Sequence, residues 1–113
     1  PKLFEPIVEG MWRGVNVGGT SMLARLEGLD VCGKTGTAEN PRGRDHSTFL
    51  SFAPKDNPKI AISVYVENGG FGASAALPIA SLLEEYYLTD TIRRPALLDY
   101  VRNMTINYPA YDR

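Results

Sequence analysis

The sequence predicts an α+β fold in which helices cover a three-stranded antiparallel sheet. Residues 60–66 alternate Ile and Val with Ala, Ser and Tyr, which is the period of a half-buried strand. Residues 54–59, PKDNPK, are dense in turn formers and separate this strand from an alternating segment at 47–53, which favours a hairpin. Residues 74–88 then repeat apolar side chains at helical spacing: Leu77, Ala80, Leu83, Tyr86 and Tyr87.

Two short helices are expected ahead of the sheet. The first begins near Pro6, which a first helical turn tolerates, and apolar residues follow every three or four positions: Ile7, Val8, Met11, Trp12 and Val15. The second is predicted to run from Thr20, as its N-cap, to Glu27. Gly28 then occupies the place of a left-handed C-terminal cap.

The remaining elements follow in chain order. The strands are predicted at about 31–38, 47–53 and 59–67, and a charged loop at 39–45 joins the first two. The helix at about 74–88 is expected to fold back on the sheet face that forms the core: Ile60, Ile62, Val64 and Val66. A final helix at about 95–104 begins with a proline, and 105–113 reads as an irregular tail.

Composition narrows the function classes. The chain has 113 residues, 43% hydrophobic and 22% charged, with a net charge of -1, which is typical of one globular unit and a poor match to a nucleic-acid binder. It contains no apolar run long enough to span a bilayer. Cys32 is the one cysteine, so no internal disulfide is possible. A structural role is predicted for His46, the one histidine, and no metal or cofactor is expected.

The stretch GLDVCGKTGT, residues 28–37, fits two motifs. Its first eight residues match the phosphate-binding P-loop, and KTGT matches the K-T-G signature of penicillin-interacting serine enzymes. A P-loop requires a strand before it and a helix beginning at its Lys-Thr, whereas Gly36 and Pro41 interrupt any helix there. The K-T-G motif instead requires an exposed edge strand, which the neighbouring segments favour.

Four segments together resemble one family. VCGKTGTAEN, HSTFLSFAP, NPKIAISVYVENGG and AALPIASLLEEYYL occur in the order found in the C-terminal part of the transpeptidase domain of class B penicillin-binding proteins, especially the elongation-type penicillin-binding protein 2 group. The resemblance covers roughly residues 11–88 and implies the β-lactamase/transpeptidase-like fold. The whole chain, 1–113, is then expected to be one C-terminal subdomain of that domain.

The resemblance implies roles for the KTGT residues. Lys34 would supply positive charge and a hydrogen bond, and the hydroxyls of Thr35 and Thr37 would bind the substrate or drug carboxylate. Gly36 would let the substrate lie against the strand. The backbone N–H of Thr37 would be one donor of the oxyanion hole.

The chain departs from the family pattern in one respect. None of its serines, at 21, 47, 51, 63, 74 and 81, begins the S-x-x-K motif of the nucleophile or the second motif, S-x-N. We therefore expect a fragment, processed or excised at Pro1, that is inactive alone but belongs to an acyltransferase. The alternative is a non-catalytic penicillin-fold binding module, and the P-loop interpretation comes third.

The resemblance also implies partners and location. Stem peptides of peptidoglycan and β-lactams are the expected ligands, and the parent is expected to be anchored in the bacterial cytoplasmic membrane with this domain outside the cytoplasm. The upstream part of the domain would pair beside the last strand, so 59–66 is expected to have an open edge through which copies associate. Three other groups of residues have simple predicted roles. Solvated surface is predicted for Glu84, Glu85, Arg93 and Arg94, and a core position for Trp12, Tyr86 and Tyr87. A charged turn or the mouth of a cleft is predicted for Arg42, Arg44 and Asp45.

Overall fold

The elements of the chain confirm the predicted α+β class. A computed structural model describes residues 2–106. It contains helices α1 (Glu5–Asn16), α2 (Ala76–Thr89) and α3 (Pro95–Arg102), strands β1 (Cys32–Ala38), β2 (His46–Ala53) and β3 (Ile60–Val66), and a 3-10 turn at Met22–Ala24. Most of the predicted tail, from 107 onward, lies outside the described residues. No helix within 2–106 has both the length and the apolar character needed to cross a membrane.

The three strands form an antiparallel meander in the order β1-β2-β3. Lys34 lies opposite Leu50, and Leu50 lies opposite Ser63, so one row of side chains crosses all three strands. The strand β2 is central, and β1 and β3 are the edges of the sheet that the described residues form.

The core lies on one face of the sheet and is centred on β2. Phe49 is 1% exposed and Ala53 is fully buried, and both α1 and α2 contribute side chains to the same cluster. Of the four β3 residues predicted as the core face, three pack against this cluster and are only partly buried: Ile62, Val64 and Val66. Ile60 is not among them. These residues lie on an edge strand, so fewer neighbours surround them than surround Phe49.

The prediction of a second N-terminal helix at residues 20–27 is wrong. The chain from Thr20 to Glu27 makes only the 3-10 turn, because Arg25 adopts an extended conformation with ψ 127°. No side-chain cap forms at the start of this turn, and the Ser21 N–H instead donates to Gly14 O at 3.1 Å. Gly28 does have a positive φ of 78°, as expected of it, but within a turn that leads into β1.

The buried side of α2 also differs from the prediction. Leu77 and Ala80 are fully buried as expected, whereas Leu83, Tyr86 and Tyr87 are more than half exposed. Polar side chains take the inward positions instead, including Ser81, Glu84 and Glu85. The spacing of apolar residues therefore gave the wrong side of the helix beyond its second turn.

Specific polar partners explain why the carboxylates are buried. Ser51 on β2 hydrogen-bonds Glu84 at 2.6 Å. Arg94 forms an ion pair of 3.2 Å with Glu85 and donates further hydrogen bonds to the Ser81 hydroxyl and to the backbone oxygen of Leu23. The prediction of solvated surface is therefore wrong for Glu84 and Glu85, because each has a hydrogen-bonding partner inside the fold.

Candidate functional site

The KTGT residues lie on an exposed edge of the sheet. All four belong to β1, which pairs with β2 on one side and continues as a strand through Ala38. No helix begins at Lys34-Thr35, so the P-loop interpretation is wrong. Since β1 pairs with β2 alone within the described residues, alternate backbone N–H and C=O groups along β1 point away from the sheet.

The register places the four residues on two faces of the sheet. Lys34 and Gly36 share a face with Leu50 and Thr48, their partners on β2. Thr35 and Thr37 share the helix-covered face with Phe49 and Ser47. The side chains of the motif therefore alternate between the two faces, as in any strand.

The ammonium group of Lys34 does not extend away from the strand. Lys34 is exposed, yet its Nζ donates a hydrogen bond of 2.8 Å to the backbone oxygen of Thr35. The positive charge therefore lies beside the motif itself. An ammonium group has three donors, so two remain for a ligand.

The backbone around Gly36 is too crowded for any side chain. A Cβ added at Gly36 would collide with Thr48 Oγ1, and a Cβ added at Gly72 would lie 2.7 Å from the backbone oxygen of Gly36. The turn before α2 therefore packs directly on β1 at the motif. Glycine is required at Gly72 by this close approach of two backbones, and at Gly36 the Thr48 hydroxyl occupies the place of a side chain.

Ser47 fixes that turn. Its hydroxyl donates to the backbone oxygen of Phe71 at 2.8 Å and accepts a hydrogen bond of 2.9 Å from the Ala76 N–H, at the start of α2. Ser47 is fully buried and lies opposite Thr37 in the sheet. The sequence shows only that Ser47 lacks the nucleophile pattern, and this structural role was not predicted. The position of Ser47 on the inward side of an alternating strand was the available signal.

A second set of hydrogen bonds joins the loop at 39–45 to the turn after β3. Asn40 Nδ2 donates to Asn68 Oδ1 at 2.7 Å and to the backbone oxygen of Arg44 at 3.0 Å. The Asn68 N–H donates to His46 Nδ1 at 3.0 Å, which gives the predicted structural histidine its partner. Asn68 is 2% exposed with φ 57°, so the turn is fixed in a conformation that suits asparagine.

Arg44 lies at the outer side of this loop. Its guanidinium covers Gly70, where an added Cβ would lie 2.5 Å from its Nη2. Together with Asp45, Gly70 and Phe71 it lines a cleft of about 180 Å³. None of the KTGT residues lines this cleft, so the cleft-mouth alternative for Arg44 and Asp45 stays a prediction.

The end of α1 contacts the other half of β1. Asn16 Nδ2 donates to the backbone oxygen of Val31 at 2.9 Å, immediately before the strand. The hydroxyl of Thr20 lies 3.3 Å from that of Thr35. Thr20 was predicted to be a helix cap, and this contact was not predicted. The residue pattern within a segment does not show which loop approaches an edge strand.

Two buried titratable side chains lie at the sheet: Cys32, the first residue of β1, and Glu84 of α2. Burial raises the pKa of Glu84 to about 7, against a hydrogen bond from Ser51 that lowers it. Burial also raises the pKa of Cys32 to about 11, and Glu84 is among the charges that raise it further. Cys32 is fully buried, and a thiol with so high a pKa is a weak nucleophile.

A larger, mostly apolar groove lies elsewhere, where α3 approaches the 3-10 turn. It has a volume of about 630 Å³ and is lined by Leu23, Ala73, Ser74, Arg94, Ala96, Leu97 and Tyr100. None of the KTGT residues contributes to it. The candidate site is therefore an open strand edge and not an enclosed cavity.

Comparison with protein families gives one clear match. Residues 1–83 match the family described as the penicillin binding protein transpeptidase domain. The peptidoglycan D,D-transpeptidase MrdA of Haemophilus influenzae is 35% identical over 106 residues, which covers 79% of this chain and 16% of that protein. The protein of the same name from Acinetobacter baumannii is 36% identical over 92 residues, covering 68% of this chain and 14% of that protein.

Solved structures agree. Pseudomonas aeruginosa PBP2, in complex with WCK 5153, superposes with a TM-score of 0.64 at 38% identity over 74% of this chain and 19% of that chain. The imipenem acyl-enzyme complex of penicillin-binding protein A from M. tuberculosis gives a TM-score of 0.58 at 32% identity, over 74% and 20% of the two chains. The chain thus spans about a sixth of the curated relatives and a fifth of these structures.

Proposed function

Because this chain belongs to the penicillin binding protein transpeptidase family, we propose that it supplies the KTGT wall of the substrate site in a peptidoglycan D,D-transpeptidase. The family match covers 1–83, and the relatives named above carry that activity in their names. The observation that carries the proposal is the exposed edge of β1, where Lys34, Thr35, Gly36 and Thr37 follow one another beside open solvent.

The reaction is serine acyl transfer. A serine hydroxyl attacks the carbonyl carbon of a D-Ala-D-Ala bond, an acyl-enzyme forms as the terminal D-Ala leaves, and an amine of a second strand takes the acyl group and releases the serine. The nucleophile comes from outside this chain, since none of its serines has a lysine three residues later. By itself the chain therefore binds stem peptides or β-lactams weakly and does not become acylated.

Each KTGT residue has a role that its environment supports. The ammonium of Lys34 gives the site a positive charge with two free donors, and the hydroxyls of Thr35 and Thr37 bind a carboxylate. The Thr37 N–H is one donor of the oxyanion hole, a type of group whose removal costs about 3 kcal/mol of barrier. Gly36 keeps the strand free of a side chain where a peptide pairs with it.

The proposal extends to location and partners. We place the parent protein in cell-wall elongation, anchored in the cytoplasmic membrane with this domain on the outer side, and 1–113 as a subdomain of its transpeptidase domain. The strand β3 has one neighbour among the described residues, so its free edge pairs with an upstream strand of the same domain. In the isolated chain, copies associate through residues 59–66, and strictly monomeric light scattering at high concentration would contradict this.

Covalent labelling tests the function. The full protein that contains this chain is mixed with a fluorescent penicillin, and acylation is followed on a denaturing gel. We expect labelling, and Lys34→Ala should slow it at least tenfold because the site loses its charge. Lys2→Ala, at an exposed lysine ahead of α1, is the matched control and should label at the wild-type rate.

The possible results separate the proposals. A wild-type protein that does not label is not a transpeptidase, and the non-catalytic binding module then replaces this proposal. A labelled Lys34→Ala protein with an unchanged rate removes Lys34 from the site but leaves the activity in place.

A further inference from the structure

Three polar groups meet at Thr35. Its hydroxyl lies 3.3 Å from that of Thr20, and its carbonyl oxygen accepts the hydrogen bond from Lys34 Nζ. Thr20 is exposed and Thr35 is half-buried. We infer that Thr20 is a further residue of the substrate site, and that its hydroxyl and that of Thr35 bind the same carboxylate of a stem peptide or β-lactam. This inference rests on the proposed function.

The distance between the hydroxyls supports a shared ligand. Hydrogen bonds between hydroxyl groups usually measure about 2.5–3.0 Å, and the 3.3 Å between Thr20 and Thr35 is longer. A hydroxyl hydrogen rotates to the best acceptor available. An ionised carboxylate is an acceptor only and forms shorter, stronger bonds. Both hydroxyls therefore turn toward such a group when it binds.

The turn that carries Thr20 is fixed before any ligand arrives. Gly18 has φ 83°, and a Cβ added at Gly19 would collide with the Cα of Gly14 in α1. The next residue, Ser21, is 1% exposed and its N–H donates to Gly14 O at 3.1 Å. Asn16 in turn ties the end of α1 to the chain just before β1. A hydroxyl held in place in this way loses little entropy when it binds.

The test compares two forms of one ligand. The full protein is acylated with benzylpenicillin and with its methyl ester, in which the carboxylate is masked, and intact-protein mass spectrometry gives both rates. Thr20→Val should slow acylation by the free acid about tenfold, as expected for one hydrogen bond to a charged group. The rate with the ester should not change, so the ratio of the two rates falls about tenfold. A purely structural defect would slow both reactions alike.

Two further variants complete the design. Thr20→Ser keeps the hydroxyl and should restore the wild-type ratio, whereas Thr91→Val, at an exposed threonine beyond α2, should leave it unchanged. A wild-type ratio in Thr20→Val overturns this inference and leaves the proposed function intact. If the wild-type protein reacts with neither ligand, the proposed function fails and the inference fails with it.

Discussion

The buried pair of Glu84 and Ser51 should make the stability of the chain depend on pH. Glu84 is fully buried and its Oε2 lies 2.6 Å from Ser51 Oγ, while its Oε1 has no hydrogen-bond partner among the described residues. Burial raises the pKa of this carboxyl from 4.5 to about 7. The folded chain therefore keeps a proton that the unfolded chain has already lost.

The direction and size of the effect follow from linkage. Between pH 4.5 and about 7 the folded state binds more protons than the unfolded state, so stability falls as pH rises through this window. Each pH unit between the two pKa values is worth about 1.4 kcal/mol, so the whole gap amounts to about 3 kcal/mol. Glu84→Gln cannot ionise and should lose this component while keeping a polar group beside Ser51.

Urea unfolding at pH 5 and pH 8, followed by circular dichroism, measures the difference. The wild-type free energy of unfolding should drop between these pH values by about 2.5 kcal/mol more than that of Glu84→Gln. Glu27→Gln, at an exposed carboxylate, should behave as the wild type does. In Ser51→Ala the hydrogen bond that lowers the pKa is gone, so the decline should reach higher pH. Equal pH dependence in wild type and Glu84→Gln would refute this reasoning.

Three other predictions concern stability and reactivity. Gly72→Ala should destabilise the chain by about 1–3 kcal/mol in urea unfolding, because its Cβ would meet the backbone of β1. Gly10→Ala, where an added Cβ has nothing within 4 Å, should instead stabilise α1 by about 1 kcal/mol. Equal effects of the two substitutions would contradict the packing of Gly72 on β1. Asn40→Ala should speed amide exchange across residues 40–45 because their links to Asn68 and to the Arg44 carbonyl are lost, and unchanged exchange would show that the loop is held otherwise. Cys32 should resist a thiol reagent at pH 8 until urea unfolds the chain, since its pKa is about 11 and its side chain is buried, so rapid labelling of the folded chain would be inconsistent with this burial.

The sequence predicted the sheet well because its signals are local. Alternation in residues 60–66 and the turn formers at 54–59 depend on neighbours along the chain, and the register confirms both. The strand that carries KTGT was equally predictable, since the short motif and its flanking segments together indicated a strand. The two failures, the helix at 20–27 and the inward side of α2, both depend on contacts between distant segments.

Those contacts involve polar atoms that hydrophobic periodicity treats as surface. Glu84 reaches Ser51 across 33 positions in the sequence, and Arg94 donates to the Leu23 carbonyl across 71. The contact between Thr20 and Thr35 on β1 is also between distant segments, because it depends on where the chain turns after α1. No pattern within a single segment carries this information, so the strand that bears KTGT could be located from the sequence but the residues that support it could not.

The order of strands in the meander also bears on how quickly the chain folds. Each strand pairs with the next one along the chain, so both hairpins close short loops at small entropic cost. Such local pairings form quickly, whereas contacts between distant residues slow folding. The hydrogen bond from Arg94 to the Leu23 carbonyl spans 71 positions, so we expect it to form late. The KTGT strand can therefore acquire its partner before the helices that support it are in place.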